Sequence, residues 1–222
     1  MEPVILEGFD IEPDSSELSR LLGRKNGEAI GAPAAAAAGK ITAALDSALE
    51  DAKSLIGPKA IYVTAAGADL PGSDIFTDLE KVAFCVCTIG PALEERVTAL
   101  SKEGDMLAAV VLDAIGSAAA EATARYANDH IDKAAAELGL KTSCRASPGY
   151  GDWDVKEQKS LFTLVPAGRI GVTLTESSMM VPRKSVSFAV HIAEDPVRLR
   201  SEGSCGNCDM ETCPYRMPDQ SD

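Results

Sequence analysis

The sequence predicts an α+β fold, a twisted mixed or antiparallel sheet covered by helices. Three observations predict it. Val82–Thr88 and Ser185–Ile192 alternate their side chains with the period of two that belongs to strands. Between them, after Asp105, a long apolar stripe recurs at helical spacing. Aromatic residues make up only 5% of the chain while alanine is abundant, a composition suited to helices lying close on a sheet.

Taken in chain order, Val4-Ile5-Leu6 reads as a short strand, and Asp14, Ser15 and Ser16 as caps of a helix running through Leu22. Residues 30–39 are an alanine run broken by Gly31, Pro33 and Gly39, a connector that turns into helix. Gly39-Lys40 is not a phosphate-cradling loop, because Ala34 and Ile41 stand where that spacing needs glycine and a hydroxyl. Ile41, Ala44, Leu45, Ala48, Leu49, Ala52, Leu55 and Ile56 form one helical stripe, stopped by Gly57-Pro58. Ala60–Thr64 is a strand. In Val82–Thr88 the residues Val82, Phe84 and Val86 point one way, and Ala83, Cys85 and Cys87 the other.

Gly90-Pro91 opens a helix, with proline suited to its first turn. Asp105 caps a much longer one reaching to about Leu138, with Leu107, Val110, Val111, Ala114, Ile115 and Ala118 as its stripe. Glu121 continues that face, and a carboxylate there costs free energy unless it finds a partner. Beyond it, Cys144–Trp153 is turn-rich, Val155–Val165 helical and Ile170–Thr175 extended. Ser185–Ile192 closes the sheet, with Val186, Phe188, Val190 and Ile192 on one face and His191 opposite. The chain divides into one domain over residues 1–200 and a Cys-rich tail over 201–222.

At 222 residues, 45% hydrophobic and 25% charged, the chain has the make-up of a globular protein that buries a core without disulfides. Asp and Glu total 34 against 21 Lys and Arg, a net charge of −13 that disfavours nucleic acid as a partner. The N-terminus lacks a basic segment, and no apolar stretch reads as long enough to span a bilayer, so a cytoplasmic location is expected. Six cysteines in that setting point to metal ligation or reduced thiols.

Arg145-Ala146-Ser147-Pro148-Gly149-Tyr150 carries the most chemistry. Arginine offers a planar fork for a carboxylate. Proline and glycine shape a tight turn whose backbone can approach a ligand, and tyrosine supplies a ring face. A zwitterion bearing an aromatic base suits that set. The same residues also read as a plain surface turn, and their chemistry alone leaves both readings open.

The segment resembles the Arg-x-x-Pro-Gly-Tyr loop of the activation domain of vitamin B12-dependent methionine synthase. The resemblance continues through Glu157-Gln158, Leu161-Phe162, Ile170–Ser177, Met179-Met180-Val181-Pro182 and Ser185-Val186-Ser187. Upstream, Leu112-Asp113-Ala114 and Ala120-Glu121-Ala122 are similar to that domain's long central helix. The resemblance implies S-adenosylmethionine binding by Arg145 (to the ligand's carboxylate), by the backbone around Ser147 and Gly149, by Tyr150, and by Glu121 near the ligand. It implies a role in reductive methylation of cob(II)alamin to methylcobalamin, with one electron and a methyl group from S-adenosylmethionine. No acid–base machinery is then required, since positioning does the work. The corrinoid is expected on a separate methionine synthase subunit, and ferredoxin or flavodoxin as electron donor. Reactivation of another corrinoid protein in anaerobic one-carbon metabolism fits the same residues.

After Ser187 the family continues with an aromatic-rich strand, which this sequence replaces with His191–Pro196 and the Cys tail. Cys205, Cys208 and Cys213 have spacings compatible with an iron–sulfur cluster or zinc, with Cys144, Cys85 or Cys87 as candidates for a fourth ligand. Cys85 and Cys87, on one face of a strand, also read as packed thiols. A non-enzymatic iron–sulfur or zinc docking module is the reading from a different class. His130 and His191 are expected to be structural or exposed.

Overall fold

A computed structural model describes residues 1–14 and 47–197, together with positions 17, 18, 21, 22, 24, 25, 28, 29 and 45. Its strands are β1 (Val4–Glu7), β2 (Arg24–Lys25), β3 (Glu28–Ala29), β4 (Lys59–Ala65), β5 (Val82–Thr88), β6 (Lys141–Thr142), β7 (Thr173–Leu174), β8 (Met180–Val181) and β9 (Ser185–Ala193). Five of them make one sheet in the order β1-β4-β5-β9-β6, every neighbour antiparallel. The pairs β2-β3 and β7-β8 are separate two-stranded ribbons.

Strand β5 sits at the centre of the sheet and is buried along its whole length, so both of its faces must be apolar. The alternation in the sequence provides for this. Val82, Phe84 and Val86 enter a cluster with Ile61, Val63, Phe76, Trp153 and Leu161. Ala83, Cys85 and Cys87 enter another with Tyr62, Ala124, Ala127, Ile131, Phe188 and Val190. The second cluster is where the long helix Met106–Ala136 lies on the sheet. Ala118, Ala119, Ala124 and Ala127 are all 0% exposed on that helix, and such short side chains let its backbone come close to the strands.

A third cluster joins the start of the long helix to the helix Ala92–Glu103 and to residues 47–55, which are also helical. The Asp105 side chain accepts from Ala108 N, as a cap should, and Gly104 adopts φ 85° to end the preceding helix. Asp14 Oδ1 likewise accepts from Glu17 N, and residues 17, 18 and 21 are helical. The connector at 30–39 and the tail cysteines lie outside the described residues.

Three expectations are corrected. Ile170–Thr175 is not one strand: a 3-10 turn spans Ala167–Ile170, Gly171 at φ 81° reverses the chain, and only Thr173–Leu174 pairs. Gly171 takes a left-handed conformation that an extended run cannot accommodate. Leu107 and Val110 are exposed at 42% and 57%, because the buried stripe of the helix passes instead through Val111, Leu112, Ile115, Ala118 and Ala119. The Val110 flank is the one that carries Asp113 and Ser117, both bonded to Lys184. Finally, Met106–Ala136 is long and apolar enough, by length and composition, to cross a membrane. Most of its most apolar stretch (61%) is buried inside the fold, where it covers the sheet.

Candidate functional site

After the long helix, residues 141–146 run antiparallel along β9 and extend its edge. Thr142 pairs with Ile192, Ser143 N donates to the His191 carbonyl at 2.8 Å, and Ala146 exchanges backbone bonds with Ala189 at 2.9 and 2.8 Å. Alternation along this edge then sets two directions. Ala146 points into the cluster with Phe84 and Trp153, and its neighbour Arg145 turns to the opposite face, under the long helix.

There Arg145 meets Glu121. Its Nη2 donates to Glu121 Oε1 across the seam between helix and sheet, and its guanidinium carbon lies 5.5 Å from the centre of the Phe188 ring. The two side chains remain 27% and 30% exposed, so the pair is partly shielded yet reachable from solvent. This partner accounts for the carboxylate on the apolar stripe. Beneath the pair, burial pushes the Cys87 thiol up to about 12, against the lowering effects of the Val186 carbonyl bond and the Arg145 charge and with a further raising effect from Glu121. Burial also raises Cys85, with the Cys87 neighbour adding to the effect.

Just past Arg145 the chain closes a tight turn. Tyr150 N donates to Ser147 O at 3.2 Å, Trp153 N to Tyr150 O at 3.2 Å, and Gly149 N to Trp153 O at 2.7 Å. Gly149 holds φ 91°, which disfavours any residue with a Cβ. Trp153 nails the turn down: it is 1% exposed and packs edge-on against Phe76, 4.7 Å between ring centres. Gly67 lets Phe76 sit there, since a Cβ at Gly67 would fall 1.7 Å from the Phe76 carbonyl oxygen. Downstream, the buried Gln158 receives the Ser187 hydroxyl at 3.0 Å and donates to Ser178 O at 2.8 Å, tying this region to β9.

Of the residues singled out in the sequence, Arg145 and Glu121 are thus brought into contact. Ser147, Gly149 and Tyr150 lie together in the adjoining turn, with Tyr150 59% exposed. Two residues escaped notice as contributors, Phe188 under the guanidinium and Trp153 under the turn. A lone tryptophan inside a turn-rich stretch was the available signal for the second. Concavities elsewhere are lined by Ser47, Ala48, Leu100 and Leu112, and by Pro91, Glu94, Pro182 and Arg183; neither is lined by Arg145, Glu121 or Tyr150.

Cys205, Cys208 and Cys213 lie outside the described residues, and among those described no three His, Cys, Asp or Glu side chains are grouped to hold a metal ion. Of the proposed fourth ligands, Cys85 and Cys87 are fully buried with raised thiols, a poor state for ligation, whereas Cys144 is exposed. His191 is buried and structural: its Nδ1 accepts from Val197 N at 3.0 Å, and burial lowers its pKa. His130 lies beside the Tyr62 hydroxyl at 3.4 Å.

Comparison with known proteins matches residues 76–202 to a family model described as the activation domain of vitamin B12-dependent methionine synthase. No curated protein matches the chain. Among solved structures, the chain is similar to a crystal structure of the MetH reactivation domain bound to AdoHcy. The TM-score is 0.57 at 15% identity, over 75% of this chain and 68% of that one.

Proposed function

From the premise that the chain belongs to the family of vitamin B12-dependent methionine synthase activation domains, we propose that it binds S-adenosylmethionine and serves as a reactivation subunit for a corrinoid carried on a separate chain. The observation that carries this reading is the Arg145–Glu121 pair set beside the Ser147–Trp153 turn. A guanidinium fork, a glycine turn with backbone exposed and a solvent-facing tyrosine ring make a donor set that suits a zwitterionic adenosyl ligand. The similar MetH structure was solved with AdoHcy, the demethylated form of that ligand, which supports the same reading.

When bound, S-adenosylmethionine supplies a methyl group on positively charged sulfur, ready for transfer to the reduced corrinoid. The chain's own residues hold and orient. Arg145 receives the ligand's carboxylate, the backbone at Ser147 and Gly149 meets the adenosyl portion, and Tyr150 covers it. Positioning of this kind can supply much of a rate enhancement without any proton being moved by the protein. Electron delivery from ferredoxin, flavodoxin or a cluster on Cys205, Cys208 and Cys213 belongs to the same proposal, as does a cytoplasmic setting.

The test is anaerobic incubation of the chain with a cob(II)alamin-loaded methionine synthase corrinoid protein, a one-electron reductant and methyl-labelled S-adenosylmethionine. Label should reach the corrinoid only when the chain is present. Equal transfer with and without the chain would refute the role.

A further inference from the structure

Among the described residues, four buried side-chain polar atoms have no hydrogen-bond partner, and three of them come from two segments packed on each other: Trp153 Nε1, Glu157 Oε2 and Ser73 Oγ. We infer that these three line an internal water site. A single ordered water accepts from the indole N–H and donates one proton to the Glu157 carboxylate and the other to the Ser73 hydroxyl oxygen. The bridge does not depend on which ligand the neighbouring turn meets.

The packing places the three groups together. Trp153 and Glu157 stand on either side of the 3-10 turn Val155–Glu157, which Asp154 caps by accepting from Lys156 N at 2.8 Å. The loop that precedes β5 closes over this turn at two points. A Cβ added at Gly72 would lie 3.9 Å from the hydroxyl of Ser160, one turn beyond Glu157 in the helix Gln158–Leu164. The Phe76 ring sits 4.7 Å from Trp153. Ser73 lies in the chain between those two contacts and is 5% exposed. Its carbonyl accepts from the Thr77 hydroxyl at 3.3 Å, and its own hydroxyl is left over.

The chemistry of the three groups selects the occupant. Buried polar atoms in folded proteins are paired, because an unpaired one forfeits its hydration without return. An indole N–H can only donate, a carboxylate oxygen accepts, and a hydroxyl does either. The inward N–H disfavours a cation, and the carboxylate oxygen disfavours an anion. A small neutral molecule that both accepts and donates satisfies all three, and buried waters make about three such bonds. The water then joins the segment carrying Ser147, Gly149 and Tyr150 to the helix behind it and to the loop beneath. That turn is thus held by a polar link as well as by the contact between Trp153 and Phe76.

Trp153 is the chain's single tryptophan, so an isotope-labelled sample of the full chain shows one indole N–H signal in a proton–nitrogen correlation spectrum. In the wild type this proton should exchange slowly and show a cross-relaxation peak with water, the mark of a long-lived internal molecule. Glu157→Gln keeps an oxygen acceptor and should retain the peak, whereas Glu157→Leu should lose it. Ser73→Ala should keep the peak but shift the indole signal, although it alters no residue of the turn. A thermal melt of each variant reports folding, and Ser73→Ala decides the matter if Glu157→Leu does not fold. Slow exchange with no water peak in the wild type would mark a direct bond between indole and carboxylate, and fast exchange an open site; either overturns the inference. So would a peak that survives in Glu157→Leu, a peak lost in Ser73→Ala (a relay through the hydroxyl), or an indole signal unmoved by that substitution.

Discussion

Trp153→Ala tests whether the candidate turn owes its shape to the core beneath it. Trp153 is 1% exposed and packs edge-on to Phe76, which in turn packs edge-on to Phe84 on the central strand at 5.5 Å. Removing it deletes the largest fully buried side chain and opens a cavity between β5 and the segment that carries Arg145. Truncations of this kind cost about 3–5 kcal/mol. For a domain of this size each kcal/mol lowers the melting temperature by about 2–4 °C, so the expected drop is about 6–20 °C. Trp153→Phe keeps an aromatic edge against Phe76 and should lose roughly half of that or less. Differential scanning calorimetry of the three proteins measures it directly. Trp153 is the chain's single tryptophan, so its emission in the wild type should also be that of a buried indole. A drop of under 2 °C for Trp153→Ala, or a solvent-exposed emission, would refute the claim that this residue anchors the turn.

Two further predictions concern buried ionisable groups. Cys85 and Cys87 should resist a thiol reagent at pH 8 in the native protein and react on denaturation, since burial raises both. Because folding raises both thiols above their unfolded value, the stability they contribute is intact below about pH 9 and is lost as pH climbs beyond it, for Cys87 toward about 12. Labelling of either residue in the native protein, read by mass spectrometry, would count against their packing. His191 runs the other way: burial lowers its pKa, so its contribution is present above about 6.5 and fades as pH falls below that. The wild type should lose more melting temperature between pH 7.5 and pH 5.5 than His191→Asn does, and equal losses would contradict the assignment.

Much of this fold was legible because β5 and β9 announce themselves twice, by alternation and by what sits on each face. Cys85 and Cys87 opposite Phe84 and Val86 already implied a strand buried on both sides, and the long helix was bounded correctly at Asp105. The region between β4 and β5 had no such signal. Leu70 and Phe76 are fully buried there without strand or helix periodicity, held by turns around Gly67. Ile170–Thr175 misled because a run of β-branched residues outvotes one glycine in any propensity count, while the backbone at Gly171 decides the outcome. The site was half visible. Glu121 on an apolar stripe demanded a partner, and its sequence position gave no hint that the partner would be Arg145, 24 residues on. That pairing depends on the return of residues 141–146 along β9, a long-range event that local pattern does not encode.

In the proposed function Arg145 holds the carboxylate of an adenosyl amino acid. Isothermal titration of S-adenosylmethionine into the wild type and into Arg145→Ala tests it most directly. Saturable binding by the wild type is expected, with affinity at least about tenfold weaker in the variant, since the ligand's carboxylate loses a charge-assisted partner. Equal affinity in the two proteins, or no saturable binding by the wild type, would contradict it.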